Sequence, residues 1–378
     1  MIALSDEQQM IVRAVRELAE EEFADRAFEY EDDLPWENVE LLAEQGYLGI
    51  SFDQEYGGEG MTEMESLLVL ETIARVCPDT ALFINGHNIG PRTIEMFGTE
   101  EAKQSYLPSA IGEGEYIALA MSEPEAGSDL RSMNTTFERD NDEVIISGEK
   151  TWVSEFPTAS SAIVWGQFED GLGTVVADLD HPGIEVSNHF ENMAGNVHTQ
   201  FYLKDVRIPE EQILTSGSDD FQRHMQTLNW ERLSTAAITN GMALYAIDAA
   251  LEYGDRREQF GQPILDFQGI EWKIAEMAKQ VQLSRSIVHQ SARNAVEDGR
   301  VPDPLESTIA FLHSGEAADF VVDEALQIHG ANGYMRGHPL EYLYRLVRGM
   351  RIGGGTDEMQ RNTIARIVKR RGIPHLAE

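Results

Sequence analysis

The sequence predicts a multidomain chain in which an N-terminal α-helical domain, a middle β domain and a C-terminal four-helix bundle follow one another. Three observations predict this class. The 378 residues exceed what one compact core usually holds. Apolar residues recur at helical intervals in both outer parts of the chain. Short β-branched segments, separated by turn residues, occupy the middle. The corresponding domains are predicted at residues 1–116, 117–216 and 217–378.

The N-terminal region begins with a capping-box pattern, since Gln8 follows Ser5 by three residues. Apolar residues then recur every three or four positions through Ala19, which predicts an amphipathic helix. A second helix is predicted from Pro35 to Gly46, because proline is favoured in a first helical turn and glycine just past a last one. The segments MTEMESLLVLETIARV and RTIEMFG continue the helical pattern.

The middle region differs from the N-terminal region in composition and pattern. Its segments DEVIISGEKTWVSEF, SAIVWGQF and GTVVADL are rich in β-branched and aromatic residues, and RDND, EDGLG and DHPG separate them. Beyond residue 217 the chain returns to a helical pattern, with breaks at Pro263 and at the segment GRVPDP. Four or so long helices in this region predict a bundle.

The net charge argues against a protein that binds nucleic acid or an anionic membrane. The 29 Lys and Arg face 66 Asp and Glu, a net charge of -37, and such a surface repels nucleic acid and anionic membranes. This balance predicts a cytoplasmic protein of a halophilic prokaryote, because concentrated salt screens the self-repulsion. The alternative is an ordinary acidic bacterial protein. The single cysteine, Cys77, allows no internal disulfide and no thiolate metal cage.

The sequence also predicts that neither a membrane nor a metal is a partner. The N-terminus lacks a basic start followed by an apolar core, and no apolar run reaches membrane-spanning length. The histidines His87, His198 and His329 do not follow a metal-ligand spacing.

Four stretches are candidates for binding or catalysis, although each alone has an ordinary structural interpretation. They are ALAMSEPEAGSDL (118–130), GEKTWVSE (148–155), REQFGQPILDFQ (257–268) and QIHGANGY (327–334). The first combines proline, glycine and small hydroxyl residues, which let backbone N–H groups approach a ligand. Strand alternation in the second puts Trp152 and Ser154 on one face, where an indole can cover a planar group. No stretch has a P-loop or a dinucleotide fingerprint.

Together, the order and spacing of these stretches resemble the acyl-CoA dehydrogenases over essentially the whole chain. AMSEPEAGSD is similar to the family's flavin signature, with Ser122 where Thr is usual. KTWVS is similar to its Trp-x-Thr/Ser flavin strand, and RREQFGQPI to its Arg-x-x-Phe-Gly segment. QIHGANGY is similar to its Gln-x-x-Gly-Gly segment, with Ala331 in place of the second glycine. The resemblance implies the same α, β, α order of domains.

The resemblance implies bound FAD, held between the β domain and the C-terminal bundle and partly across a subunit boundary. Ser122 would lie near the pyrimidine side of the flavin, Trp152 would stack on the ring, and Ser154 would hydrogen-bond the hydride-accepting nitrogen. Thr356, at the start of the last helix, would also face the flavin. The full set of implied cofactor contacts is Leu119, Met121, Ser122, Gly127, Ser128, Trp152, Val153, Ser154, Arg257, Gln259, Phe260, Phe267, Gln268, Gln327, Gly330, Ala331, Thr356 and Glu358.

The resemblance also implies a reaction. A carboxylate removes the α-proton of an acyl-CoA thioester, and FAD accepts the β-hydrogen as hydride, which gives a trans-2-enoyl-CoA. Most members read Arg-Ile-Tyr-Glu-Gly-Thr with that Glu as the base, whereas this chain has Gly354 at its position. In the isovaleryl-CoA and long-chain branches, the base lies on the bundle helix instead, at the position of Glu231. The implied substrate contacts are Ser128, Asn229, Arg232, Gly355 and Arg366.

We therefore predict Glu231 as the base and the backbone N–H of Gly354 as a donor to the thioester carbonyl. Asp357 and Glu358 are competitors, but both lie in the first turn of the last helix, where the helix dipole favours acidic residues.

The leading prediction is an FAD-dependent acyl-CoA dehydrogenase that passes electrons to an electron-transfer flavoprotein and forms a homodimer or homotetramer. The alternatives are an oxygen-using acyl-CoA oxidase-like flavoenzyme and a non-catalytic flavin or acyl-CoA binder.

Overall fold

The computed structural model describes residues 3–31, 33–217 and 221–373. The outer ends of the first and last predicted domains, residues 1, 2 and 374–378, lie outside the described residues, as do residues 218–220 at the start of the last one. Over the described residues the helical content is high before residue 114 and after residue 220, and strands dominate between them. The predicted limits of the three domains remain a prediction.

Ten α-helices are found in the described residues. The capping box predicted for the first helix is confirmed, because Gln8 N donates to Ser5 Oγ and Ser5 N donates to Gln8 Oε1, both at 3.1 Å. The helices are α1 Asp6–Leu18, α2 Trp36–Glu44, α3 Glu63–Ala74, α4 Pro78–Phe97, α5 Glu100–Glu113, α6 Phe221–Arg256, α7 Gln268–Glu297, α8 Pro304–His329, α9 Pro339–Gly349 and α10 Asp357–Arg371.

The strands of the described residues form one large sheet and one small hairpin. They are β1 Tyr116–Ala120, β2 Thr136–Asp140, β3 Glu143–Ser154, β4 Ala159–Phe168, β5 Gly171–Asp178, β6 Ile184–Glu191, β7 Val197–Pro209, β8 Ile213–Thr215, β9 Glu258–Gln259 and β10 Gln262–Pro263. The large sheet runs in the order β6-β7-β3-β2-β4-β5-β8, and β1 pairs in parallel with β4. The short strands β9 and β10 pair with each other.

The chain divides into two compact units. Among the described residues, those within 1–30, 63–82 and 229–378 form the first unit, and those within 31–62 and 83–228 form the second. A core of the first unit packs residues of α3, α6, α7 and α8, among them Leu68, Leu233, Val288 and Ala310. A core of the second unit packs the sheet with α4 and α5, and includes Trp165.

Strand β3 departs from regular geometry where the sequence predicted plain alternation. Its pairing with β7 is shifted between Lys150 and Val153, and Trp152 has a φ of 60°. A bulge of this kind inserts a residue into one strand and redirects the neighbouring side chains. Trp152 is 57% exposed as a result, while Val153 is buried.

Among the described helices, none combines the length and the apolar character that crossing a bilayer requires. The same residues include no cluster of three or more His, Cys, Asp or Glu side chains suited to a metal ion.

Candidate active site

Glu231 lies on α6, in the first unit, and is half-buried as a residue. Its Oε1 accepts a hydrogen bond from Thr235 Oγ1, one turn further along the helix, at 3.2 Å. Its Oε2 is shielded from solvent and has no hydrogen-bond partner in the part of the chain that the structure describes. Burial raises the pKa of Glu231, and the charge of Arg232 and the hydrogen bond from Thr235 oppose that rise. The raised pKa makes the Glu231 carboxylate a stronger base than an exposed glutamate.

Gly354 is the residue that faces this carboxylate. Its φ is +67°, a backbone conformation that favours glycine. A Cβ at this position would lie 3.2 Å from Glu231 Oε2, 3.3 Å from Oε1 and 3.3 Å from Phe311 Cζ. The structure thus puts Glu231, the predicted base, next to Gly354, which occupies the position of the usual base. Any side chain at residue 354 would press on Glu231.

The turn that carries Gly354 is held by a residue that the sequence analysis missed. The side-chain amide of Gln360 donates to Gly355 O at 2.8 Å and to Gly354 O at 3.3 Å. Gln360 is 1% exposed and lies in the first turns of α10. Thr356 caps that helix, accepting from Met359 N at 3.4 Å. These contacts fix the two glycines relative to the helix that follows them.

Asp357, one of the two competitors for the role of base, already has a charged partner. Arg351 donates to Asp357 Oδ2 through Nη2 at 2.6 Å and through Nε at 3.0 Å, and to Asp319 through Nη1 at 2.5 Å. The Asp357 carboxylate is thus held in an ion pair with Arg351, which occupies it with a partner of opposite charge. The other competitor, Glu358, is exposed, and its pKa is lowered by hydrogen bonds at the helix start.

The predicted CoA contacts of α6 are also brought together. Arg232 Nη1 donates to Asn229 Oδ1 at 3.2 Å, and Asn229 Nδ2 donates to Pro302 O at 3.3 Å. Both residues are buried, and Arg232 Nε has no hydrogen-bond partner among the described residues. Arg366, the other predicted cationic contact, lies exposed on α10.

In the second unit, the loop with the flavin signature begins where β1 ends, at Met121. A buried ion pair that the sequence analysis missed holds this loop: Lys150 Nζ lies 2.8 Å from Glu123 Oε1 and donates to Met121 O at 3.2 Å. Burial alone would raise the pKa of Glu123, but hydrogen bonds from Asn134, Lys150 and Thr135 outweigh it and lower the pKa. Glu123 therefore stays ionised and anchors the loop to β3.

Trp152 and Ser154 lie next to this loop along β3, and their surroundings suit a planar ring. The indole of Trp152 contacts Phe190 at a centroid distance of 4.8 Å, yet 57% of the residue remains exposed. Exposed Trp of this extent offers an aromatic surface for stacking. Ser154 is half-buried, and Gly127 in the loop has open space where a Cβ would stand. The residues present thus fit the flavin that the sequence resemblance implies.

The other predicted cofactor contacts of the first unit lie in or beside two turns, the one before α7 and the one after α8, and Tyr253 contacts residues of both. Tyr253 O accepts from Arg257 N at 2.9 Å, where the REQFGQP segment begins. The ring of Tyr253 stacks on His329 at 4.3 Å, and its hydroxyl accepts from Asn332 Nδ2 at 3.0 Å, in the QIHGANGY segment. The predicted residues of these turns are exposed or half-buried: Arg257, Gln259, Phe260, Phe267, Gln268, Gln327, Gly330 and Ala331.

Comparison with known proteins agrees with this arrangement. The chain matches three family models: acyl-CoA dehydrogenase N-terminal domain over residues 5–114, middle domain over 118–206 and C-terminal domain over 221–369. A "Probable acyl-CoA dehydrogenase" of Bacillus subtilis is 34% identical, covering 96% of this chain and 98% of that protein. An acryloyl-CoA reductase (NADH) of Anaerotignum propionicum is 33% identical, covering 98% of this chain and 96% of that one.

Among solved structures, a glutaryl-coenzyme A dehydrogenase in complex with glutaryl-CoA is similar to this chain with a TM-score of 0.93 and 30% identity. The match covers 99% of this chain and 97% of the other. These findings define the class as oxidoreductases of the acyl-CoA dehydrogenase type. The chain belongs to the acyl-CoA dehydrogenase family, and the predicted fold class is confirmed.

Proposed function

We propose that this protein catalyses the FAD-dependent α,β-dehydrogenation of an acyl-CoA thioester, with Glu231 as the base. The observation that carries the proposal is the solvent-shielded carboxylate of Glu231 against the bare backbone of Gly354. An α-proton of a thioester is weakly acidic, so its removal needs a base whose pKa is raised towards neutrality. Burial raises the pKa of Glu231 above its ordinary value.

The chain's own residues would divide the work as follows. The Glu231 carboxylate takes the α-proton and becomes a neutral acid, and the C–H electron pair is delocalised onto the thioester carbonyl. The Gly354 N–H would donate a hydrogen bond to that carbonyl oxygen as negative charge develops. Bound FAD, the cofactor of this family, would supply the acceptor for the β-hydrogen as hydride, and the product would be a trans-2-enoyl-CoA. The absence of a side chain at Gly354 leaves the approach to Glu231 clear.

Each unit has its own set of proposed FAD contacts. In the second unit they are the backbone and hydroxyl groups of the loop after β1, together with Trp152 and Ser154 on β3. In the first unit they are the turn before α7 and the turn after α8, whose exposed polar groups and glycines suit a pyrophosphate and an adenosine. The proposed CoA contacts are Ser128, Asn229, Arg232, Gly355 and Arg366. Arg232 Nε has no hydrogen-bond partner among the described residues, which supports a role for this guanidinium in holding a polar group of the substrate.

The same residues would serve the reverse reaction, by microscopic reversibility. A relative of this chain is named acryloyl-CoA reductase (NADH), so the direction of catalysis is part of the proposal. We propose dehydrogenation with an electron-transfer flavoprotein as the acceptor. The oxygen-using alternative keeps the same base and the same flavin contacts.

Three measurements on the FAD-loaded enzyme test this function. Anaerobic mixing with straight-chain, branched and aryl acyl-CoAs should bleach the flavin absorption with at least one of them, and the enoyl-CoA product should appear in equal amount. No bleaching with any acyl-CoA would favour a non-catalytic binder. Rapid oxygen consumption during turnover would favour the oxidase alternative. If the enzyme reduced an enoyl-CoA with a reductant faster than it dehydrogenated the corresponding acyl-CoA, the protein would be assigned as a reductase.

We also propose a homo-oligomer, a dimer or tetramer, that works at high salt. Apolar side chains exposed on α7, Trp272 at 63% and Leu283 at 51%, support a subunit contact. The net charge of -37 supports the salt requirement. Sedimentation and activity measured from low to molar KCl test both, and a monomer at every salt concentration would contradict the first.

A further inference from the structure

Three side chains form a hydrogen-bonded chain that ends at Ser154. Ser154 Oγ lies 3.0 Å from His198 Nδ1, and Asn192 Nδ2 lies 3.0 Å from His198 Nε2. Ser154 ends β3, His198 lies opposite it on β7, and Asn192 lies in the turn before β7. Both ring nitrogens of His198 therefore have a partner, and the question is which of them carries the hydrogen.

The turn before β7 answers this question, because it fixes the amide of Asn192. Asn192 Oδ1 accepts from Ala194 N at 2.8 Å and from Asn196 N at 3.2 Å. Both donors are backbone N–H groups, so the atom that they approach is the amide oxygen. The NH2 group of Asn192 consequently points at His198 Nε2 and donates to it.

The tautomer of His198 follows from that donation. A ring nitrogen that accepts a hydrogen bond has no hydrogen, so Nε2 is bare and the single hydrogen of the neutral ring lies on Nδ1. Burial lowers the pKa of His198, which keeps the ring neutral at neutral pH. A protonated ring would direct an N–H at the Asn192 NH2 group, and the backbone donors prevent that amide from turning. His198 Nδ1–H therefore donates to Ser154 Oγ.

The tautomer of His198 determines the direction of the hydrogen bond at Ser154 Oγ. Its oxygen accepts from His198, so its own hydrogen is available to another acceptor. In the part of the chain that the structure describes, Ser154 Oγ has no hydrogen-bond partner apart from His198. We propose that Asn192 and His198 are positioning residues that hold Ser154 as a hydrogen-bond donor to the hydride-accepting nitrogen of the flavin. This inference rests on the proposed function, which puts the flavin beside Ser154.

The benefit of such an arrangement is preorganisation. A lone serine hydroxyl rotates, and in one of its orientations it would donate to His198 instead of to a ligand. With Nδ1 occupied by hydrogen, that orientation is unavailable. A preorganised donor costs no rearrangement when the ligand's charge changes. One neutral hydrogen bond of this kind corresponds to about a fivefold to tenfold change in rate or binding.

The first experiment reads the tautomer directly and needs no flavin. Histidine ring nitrogens labelled with 15N have distinct chemical shifts with and without a hydrogen. We expect His198 in the FAD-free protein at neutral pH to show a protonated Nδ1 and a bare Nε2, assigned by the loss of its signals in His198→Gln. A protonated Nε2 with a bare Nδ1 would overturn the inference, whatever the protein catalyses.

The second experiment reads the consequence in the FAD-loaded protein. The midpoint potential and absorption spectrum of the bound flavin, and the rate of its reduction by an acyl-CoA, are compared for Ser154→Ala, His198→Leu and the double variant. We expect each single variant to slow reduction about tenfold and to shift the potential in the same direction. The double variant should change little beyond Ser154→Ala, because His198 acts through Ser154.

Two further variants keep this test decisive. His198→Gln retains an amide N–H for Ser154 and an oxygen for Asn192, so we expect it to recover most of the reduction rate that His198→Leu loses. It also replaces His198→Leu in the comparison if that variant does not fold.

His189→Leu is the matched control. His189 Nδ1 pairs with Thr199 Oγ1 at 3.0 Å in the same sheet, apart from Ser154, and its removal should leave the flavin unchanged.

The outcomes separate this inference from the function on which it rests. No effect of Ser154→Ala on the flavin would contradict the proposed placement of the cofactor. An effect of Ser154→Ala with none from His198→Leu, or additive effects in the double variant, would overturn the positioning role and leave the cofactor site standing.

Discussion

Two glutamates in the same helical unit show how differently a protein can treat a buried carboxyl group. Glu71, on α3, is 5% exposed and has charged or titratable partners on both oxygens: Arg285 Nη2 lies 2.6 Å from Oε1, and His289 Nε2 lies 2.9 Å from Oε2. Glu231, on α6, has the hydroxyl of Thr235 on one oxygen and no hydrogen-bond partner among the described residues on the other.

The two pKa values move in opposite directions. At Glu71, burial alone would raise the pKa, but the hydrogen bonds and charges of His289 and Arg285 outweigh it and lower the pKa. At Glu231, burial prevails over Arg232 and Thr235 and raises the pKa. The difference teaches that the partners of a buried carboxylate, more than its burial, decide whether it holds the fold or is available to take a proton.

The largest expected effect is on catalysis at Glu231. The Glu231→Gln variant keeps the shape of the side chain and an oxygen for Thr235, but an amide cannot accept the α-proton. We expect FAD and acyl-CoA to bind normally and the rate of flavin reduction to fall by about 10³-fold. Rapid-mixing absorption under anaerobic conditions measures that rate, and a rate within tenfold of the wild type would exclude Glu231 as the base.

The next effect concerns stability at Glu71. The Glu71→Gln variant leaves the Arg285 guanidinium partly buried without its counter-ion. We expect the free energy of unfolding to fall by about 3 to 5 kcal/mol, as it does when one partner of a buried pair is removed. Denaturant unfolding measures the loss. Flavin reduction measured well below the transition should stay close to the wild-type rate, and a loss of rate as large as that of Glu231→Gln would abolish the contrast between the two carboxylates.

A smaller effect is expected at Gly354. The Gly354→Ala variant forces a side chain into a φ of +67° and places its Cβ 3.2 Å from Glu231 Oε2. We expect a loss of about 1 kcal/mol or more in stability and a fall in kcat, because the carboxylate must move. Gly353→Ala is the matched control, since its nearest contact would be Gly349 O at 3.9 Å. Equal behaviour of the two variants would show that residue 354 is not in contact with the base.

The mildest effect is the dependence of stability on pH. A raised folded-state pKa means that Glu231 contributes stability below its unfolded pKa, near 4.5, and that this contribution is lost as the pH rises through the folded value. Glu71 has a lowered folded-state pKa, so its contribution is present above the unfolded value and is lost as the pH falls. Glu231→Gln should therefore gain stability over the wild type as the pH rises, and Glu71→Gln should lose most at neutral pH. Unfolding curves at a series of pH values check both signs.

The sequence predicted the features that depend on local pattern. The capping box at Ser5, the helix start at Pro35 and the helix break at Pro263 are local and appeared as expected. The Gly354 and Glu231 pair was predicted from two motifs 123 positions apart, and in the structure a Cβ at residue 354 would lie 3.2 Å from Glu231 Oε2. That prediction came from the family resemblance, which implies a Glu at position 354 in most members and a base at the position of Glu231 in the isovaleryl-CoA and long-chain branches.

The features that were not predicted depend on long-range packing. Glu71 contacts Arg285 and His289 across separations of 214 and 218 residues, and no local pattern marks these three residues as a cluster. The ion pair of Glu123 with Lys150 is hidden in two motifs whose interpretation rested on other residues. The bulge that exposes Trp152 arises from the register between β3 and β7, which alternation along one strand does not reveal.

Hydrogen exchange at the α-carbon tests the central claim most directly. Enzyme whose flavin has been chemically reduced cannot accept hydride, so a saturated acyl-CoA bound to it in D2O can only exchange its α-hydrogen through the base. Mass spectrometry of the recovered thioester follows the exchange. The account predicts rapid deuterium incorporation with the wild type and with Glu71→Gln, and none above the uncatalysed rate with Glu231→Gln. Undiminished exchange with Glu231→Gln would contradict it.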